Sequence, residues 1–98
     1  MKITVQEAQD ATTLKLEGKV VGPWGNEFER AWKSLEESLG SRKLIVDLCG
    51  VTQMDLASRK LLAKIHLKTA AKFLANTPMI EYFVEQARRS LRDQREEQ

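Results

Sequence analysis

The sequence predicts an α/β domain: a four-stranded mixed sheet in the order β-β-α-β-α-β-α, with helices packed against it. Four short segments have the apolar patterns of strands. Three apolar stripes with helical spacing follow the second, third and fourth of these segments. Helices between consecutive strands imply right-handed parallel crossovers, and the closely spaced first two strands imply an antiparallel hairpin. At 98 residues, the whole of 1–98 is expected to form one domain with a modest core.

The first half of the chain predicts the hairpin and the first helix. Residues 3–5 and 13–17 alternate apolar and polar side chains, which is typical of strands. Turn residues at 22–26 break this pattern, and a helix is predicted from there to about 39, where Gly40 suits a glycine cap. Trp24, in the turn, either closes the helix start or is an exposed aromatic. The predicted inward stripe of this helix is Phe28, Ala31, Trp32, Leu35 and Leu39.

The third strand and second helix follow from the middle of the chain. Residues 43–48 form a nearly continuous apolar run, which predicts a strand buried on both faces. Residues 49–54, which include Gly50, predict a loop. Asp55 predicts the N-cap of a helix that runs to about 69. Its predicted inward residues are Leu61, Leu62 and Ile65.

The last strand and helix are predicted beyond residue 70. Residues 72–75 are a second candidate for a buried strand. Thr77 and Pro78 then provide a cap and a proline at the first position of the third helix. Residues 92–98 are expected to be a fraying tail. The predicted inward stripe of this helix is Ile80, Phe83, Val84, Ala87 and Leu91.

Composition limits the classes of partner. The formal net charge of +2 is too small to indicate a nucleic-acid-binding protein. No apolar run approaches the roughly 20 residues that span a membrane, and no signal peptide is visible. Cys49 is the one cysteine, so no intrachain disulfide can form, and a reducing compartment fits best. The sequence therefore predicts a cytoplasmic protein without nucleic-acid or membrane partners.

Candidate catalytic and metal-binding residues have simpler interpretations. Asp55 suits a helix cap, and Asp47 at a strand end is expected to accept hydrogen bonds from loop N–H groups. His66 has no second ligand at metal-binding spacing, and Cys49 has no adjacent base. No glycine-rich phosphate loop is present. The sequence therefore predicts neither an enzyme nor a cofactor or metal site.

Residues 44–55 read Leu-Ile-Val-Asp-Leu-Cys-Gly-Val-Thr-Gln-Met-Asp and resemble the hallmark segment of STAS domains. Residues 47–51 resemble the first half of that motif, and Met54-Asp55 resembles the second. Residues 14–18 resemble the Leu-x-Gly strand end of the family, and 73–78 resemble its fourth strand and the turn after it. The resemblance covers roughly residues 3 to 90, and the predicted element order agrees with it.

This resemblance implies a non-catalytic module of the anti-sigma-factor-antagonist type, which acts in signal transduction and transcription regulation. The implied partner is an anti-sigma factor or a related histidine-kinase-like regulator. In the family, a serine directly after the second aspartate is phosphorylated to release the partner, but here Leu56 stands at that position. The usual phosphoswitch is therefore expected to be absent. The implied partner-binding residues are Gly50, Met54, Asp55, Leu56, Ala57, Ser58 and Arg59.

Three alternatives stay open from the residues alone. Ser58 is either a phosphorylation site at a helix N-terminus or a hydroxyl bonded locally. The charged residues of the second helix are all basic, and they form either a solvated face or a surface that attracts an acidic partner. The domain could instead sense a small ligand or nucleotide, which would require a pocket near Asp47 and Asp55, or serve as an oligomerisation piece. The basic residues are Arg59, Lys60, Lys64 and Lys68, followed by Lys72.

Overall fold

The computed structural model describes the backbone of residues 1–96 and the side chains of residues 1–89. Its four strands form one sheet in the order β1-β2-β3-β4. β1 is antiparallel to β2, whereas the β2–β3 and β3–β4 pairs are parallel. The predicted fold class and element order are confirmed. The elements are β1 (Lys2–Glu7), β2 (Ala11–Val20), α1 (Pro23–Leu39), β3 (Lys43–Met54), α2 (Leu56–Thr69), β4 (Lys72–Leu74) and α3 (Pro78–Glu96).

The helices cover one face of the sheet. The parallel strands follow one another without a reversal of direction, so right-handed crossovers carry α1 and α2 to the same side. Leu14 and Leu16 of β2 are fully buried, as are Val46 and Leu48 of β3. Ile45, on the other face of β3, is only half-buried. The prediction that this strand is buried on both faces is therefore wrong, because its apolar run has one covered face.

The predicted helical stripes account for most of the helix side of the core. Ala31 and Phe83 are partly buried against that core instead of lying inside it. Leu91 and the expected fraying segment 92–98 lie outside the residues whose side chains are described. Full burial of a leucine or phenylalanine side chain contributes about 1.5–3 kcal/mol, so these stripes are what hold the helices to the sheet. The buried stripe residues are Phe28, Trp32, Leu35, Leu39, Leu61, Leu62, Ile65, Ile80, Val84 and Ala87.

The helix ends agree with the predicted caps. Gly40 ends α1 with φ of 60°, a left-handed conformation that favours glycine. The hydroxyl of Thr77 accepts a hydrogen bond from the backbone N–H of Ile80 at 3.3 Å, and Pro78 begins α3. No helix within residues 1–96 is long and apolar enough to cross a bilayer.

The third strand extends further than predicted, because β3 continues through residues 49–54 to Met54. Its second half pairs with the end of β2, and the register shifts twice along this pair. Each shift places one additional β3 residue opposite β2, as in a β-bulge. A β-carbon at Gly50 would lie 2.8 Å from Cγ of Glu17, so a glycine allows β2 to approach here. The predicted loop at 49–54 is therefore wrong, and the strand reaches the start of α2 directly.

Candidate functional site

The candidate site lies where β2 and β3 end side by side and where α1 and α2 begin. Val20 pairs with Met54, and the backbone N–H of Asp55 donates to the carbonyl of Val20 at 3.2 Å. We call the residues just beyond this point, 22–25 and 55–59, the corner. In open α/β sheets, ligands bind outside the carboxyl ends of the parallel strands, which is the end of the sheet where the corner lies.

Asp55 joins the two helix starts of the corner. Its Oδ1 accepts a hydrogen bond from the backbone N–H of Ser58 at 2.9 Å, which caps α2 as predicted. Its Oδ2 accepts one from the backbone N–H of Gly22, the residue that caps α1, at 2.8 Å. These two donors, Ser58 first, lower the pKa of the Asp55 carboxyl below its ordinary value of 3.8. A carboxylate held this way is a poor general base, so its role is to position the two helices.

Ser58 faces into the molecule. It is only 2% exposed, and a β-carbon built on Gly25 would lie 2.8 Å from its Oγ. The hydroxyl adds a smaller lowering effect on the pKa of Asp55, although its geometry falls short of a hydrogen bond with any described residue. A kinase cannot reach this hydroxyl in the folded domain. Of the two interpretations of Ser58 that the sequence left open, its burial therefore counts against a phosphorylation site, and it also counts against a direct partner contact there.

The other predicted partner-binding residues divide into an exposed and a buried group. Leu56 is 56% exposed, Ala57 is exposed, and Arg59 is half-buried. Met54 is 4% exposed and belongs to the core, so it cannot contact a partner as expected. Gly50 is half-buried and lies within β3 instead of in a loop. The corner thus offers a partner the first residues of α2.

Trp24 begins the first turn of α1 and is 48% exposed. The sequence allowed Trp24 either to close the helix start or to be an exposed aromatic, and the structure shows it exposed. Its indole is therefore available to a partner at the same end of the sheet.

A shallow pocket of about 80 Å³ lies between the starts of α1 and α2. Small-ligand sites are usually about 300–1,000 Å³, so this pocket is too small for a nucleotide. Asp47, which a ligand-binding site was expected to include, does not line it. The residues that line it include Gly22, Gly25, Asn26, Glu29, Asp55 and Ala57.

Sequence reasoning missed a second depression, which we call the α2–α3 groove. It has a volume of about 130 Å³ and lies between α2 and α3. The signal in the sequence was the pair Tyr82-Phe83, two aromatics side by side at the margin of the α3 stripe. Phe83 is half-buried in the groove, whereas Tyr82 is exposed. The groove is lined mainly by Leu56, Arg59, Lys60, Ala63, Phe83 and Ala87.

Asp47 and Cys49 form a separate pair on β3. Oδ1 of Asp47 accepts a hydrogen bond from the backbone N–H of Cys49 at 3.0 Å, so Asp47 is a backbone acceptor as predicted, although Cys49 lies in β3 and not in a loop. The Cys49 thiol is exposed, and the adjacent Asp47 carboxylate raises the pKa of that thiol above its ordinary value of 9.0. A thiol with a raised pKa is a weak nucleophile at neutral pH. Among the described residues, no cluster of three potential metal ligands occurs.

The comparisons with known proteins support the fold and no more. No protein-family model matches the sequence. No curated protein is significantly similar to it. A solved structure described as "Crystal Structure Analysis of Mglu" is similar, with a TM-score of 0.60 and 20% sequence identity. The alignment covers 76% of this chain and 19% of the other, so this domain corresponds to a small part of that protein. At this identity, the similarity shows a shared α/β fold alone.

Proposed function

We propose that this domain is a non-catalytic protein-binding module of the STAS type, which resembles anti-sigma-factor antagonists and binds its partner through the start of α2. One observation carries the proposal: Leu56 is 56% exposed at the corner and also forms part of the α2–α3 groove. A single exposed leucine is ordinary on a protein surface. Here the exposed leucine lies in the same groove lining as Arg59, and arginine is a residue type enriched among those that dominate binding energy.

The motif resemblance gives the partner class. By that resemblance, the partner is an anti-sigma factor or a related histidine-kinase-like regulator in the cytoplasm. The usual release by phosphorylation would not operate, because Leu56 has no hydroxyl and Ser58 is buried. Binding is then constitutive, or it is regulated through the partner. The pathway would be one of signal transduction that controls transcription.

The alternative, a small-ligand or nucleotide sensor at the same corner, has less support. Its binding site would have to be the pocket between α1 and α2, with a volume of about 80 Å³. That volume is well below the roughly 300–1,000 Å³ that is typical of small-ligand sites. Asp55 also places a negative charge there, which disfavours phosphate.

The test is a pull-down from the cytoplasm of the source cell with three proteins: wild type, Leu56→Gln and Leu67→Gln. Leu67 is the matched control, because it lies near the other end of α2 and is 49% exposed. We expect wild type and Leu67→Gln to capture the same histidine-kinase-like protein and Leu56→Gln to lose it. Loss of capture by both variants, or by neither, would remove the start of α2 from the interface. If wild type captures no such protein, the proposed partner class is wrong.

A further inference from the structure

The α2–α3 groove combines an apolar floor with fixed positive charge. Leu56, Ala63, Phe83 and Ala87 supply its apolar surface. Its volume of about 130 Å³ compares with an engineered apolar cavity of about 150 Å³ that binds benzene. The groove therefore has room for one large apolar side chain, such as leucine or phenylalanine, from a partner.

Arg59 is held in place at the side of the groove. Its guanidinium carbon lies 4.5 Å from the centroid of the Phe83 ring, a cation–π contact between α2 and α3. Its Nε donates to the backbone carbonyl of Asp55 at 3.4 Å. An arginine that is already positioned loses less conformational entropy when a carboxylate binds to it.

Among the residues whose side chains are described, the positive charge beside the groove has no close ion-pair partner, although Arg59 and the Asp55 carboxylate attract each other at longer range. Among the described residues, no carboxylate oxygen lies within 4.0 Å of a side-chain nitrogen of Arg59, Lys60 or Lys64. Lys68, further along α2, differs in this respect, because it pairs with Glu36 of α1 at 3.3 Å. The excess positive charge of α2 is therefore concentrated in residues 59–64, in the half of the helix that begins at Leu56. This charge complements an acidic partner.

The rim of the groove has the composition of a protein interface. Tyr82 is 59% exposed, and its hydroxyl oxygen accepts a hydrogen bond from Nε2 of Gln86 at 2.7 Å. Gln86 itself lines the groove. Tyrosine and arginine are enriched among the residues that dominate binding energy. Here Arg59 lines the groove, and Tyr82 lies next to it through its contact with Gln86.

We propose that the α2–α3 groove binds an acidic segment of the protein partner, with one large apolar side chain against Phe83 and flanking carboxylates against Arg59 and Lys60. The inference rests on the proposed function and adds to it the chemistry that the partner presents. Steering by the basic residues accelerates association and makes the affinity depend on salt. The apolar side chain supplies the contact that persists at high salt.

The probe is a phage-displayed library of random 16-residue peptides, selected on the immobilised full-length chain. We expect the enriched peptides to be net acidic and to contain a large apolar residue. Synthetic copies would then be titrated into wild type, Lys60→Glu and Lys43→Glu, with binding followed by fluorescence anisotropy. Lys43 is the matched control, since it is exposed, begins β3 at the opposite edge of the sheet, and undergoes the same charge change.

We expect Lys60→Glu to weaken binding at least fivefold and Lys43→Glu to change it less than twofold. Affinity should fall as NaCl rises from 50 to 300 mM, and amide chemical shifts should move at Ala63 and Ala87. Failure to enrich any peptide, enrichment of peptides without net negative charge, or equal binding by both lysine variants would overturn the proposal.

Partner capture separates this inference from the proposed function. If capture of the regulator is lost in Leu56→Gln but is unchanged in Lys60→Glu, the module binds at the start of α2, and the acidic-segment proposal is wrong. If the acidic peptides bind in the groove but no histidine-kinase-like protein is captured, the groove proposal stands and the proposed partner class fails.

Discussion

Replacing Asp55 with alanine would remove both hydrogen bonds that join the start of α1 to the start of α2. The bond to the Ser58 N–H caps α2, and loss of such a cap costs about 0.5–2 kcal/mol. The bond to the Gly22 N–H is exposed to water, so its loss adds only about 0.5–1 kcal/mol. We therefore expect Asp55→Ala to lower the free energy of unfolding by about 1–3 kcal/mol. Asp55→Asn keeps one neutral acceptor and should lose about half as much.

This contribution should depend on pH in a defined direction. The folded protein holds the pKa of Asp55 below 3.8, so the unfolded chain binds the proton more readily. The stabilisation is complete at pH values well above 3.8. It is lost as the pH falls through the lower pKa of the folded state. The difference in unfolding free energy between wild type and Asp55→Ala should thus be constant from pH 7 to about pH 5 and narrow below about pH 4.

The assay is urea unfolding at pH 7, 5, 4 and 3, followed by far-UV circular dichroism. Asp10→Ala is the control, because Asp10 is an exposed carboxylate whose side chain makes no hydrogen bond with a described residue. That variant should differ from wild type by less than about 0.5 kcal/mol. A loss below about 0.5 kcal/mol for Asp55→Ala at pH 7, or one that stays the same at pH 3, would refute the reasoning.

Two further predictions concern the contacts around the corner and on β3. Gly25→Ala should lower the free energy of unfolding by about 1–2 kcal/mol, because the new methyl group meets Oγ of Ser58. The double variant with Ser58→Ala should recover most of that loss; a simple sum of the two single effects in urea unfolding would contradict this contact. Cys49 should react with iodoacetamide at pH 7.5 more slowly than a small free thiol, because Asp47 raises its pKa. Asp47→Asn should speed the reaction, measured by mass spectrometry, and an unchanged rate would show that Asp47 does not control the thiol.

The helices and their starting points could be predicted because each depends on local chemistry. Asp55 and Thr77 accept hydrogen bonds from backbone N–H groups three residues ahead, an interaction available to those side chains at any helix start. Gly40 adopts a positive φ, which glycine tolerates at a helix end. These features lie within a few residues of one another, so the sequence contains all the information that they need.

The end of β3 could not be predicted in the same way, since it depends on a neighbouring strand. Residues 49–54 lack regular alternation because two register shifts change the phase of the side chains along the strand. What keeps them in the sheet is pairing with residues 17–20 of β2, more than thirty positions earlier. The continuous apolar run at 43–48 also does not show whether one or both faces of β3 are covered by helices. Only one face is covered, because the strand order places the helices on the same side of the sheet.

The sequence predicted the helix start at which the candidate site lies, but not the directions in which its side chains point. The sequence located the helix start at Asp55, yet it did not show which of the following side chains point outward. Nor did it show that α3 completes a groove beside Leu56, because that contact depends on how α2 packs against Phe83. The side chains that point outward at a helix start are those that neither the sheet nor the adjacent helix covers.

Helix geometry explains why Ser58 does not replace the serine that the motif lacks. Successive residues of an α-helix are about 100° apart, so residues 56 and 58 point to nearly opposite sides of α2. With Leu56 directed outward, Ser58 must face α1, where Gly25 leaves room for its hydroxyl. Ala57, between them, is exposed but has no hydroxyl. The outward positions of this helix start, residues 56 and 57, therefore offer an apolar surface and no hydroxyl that a kinase could phosphorylate.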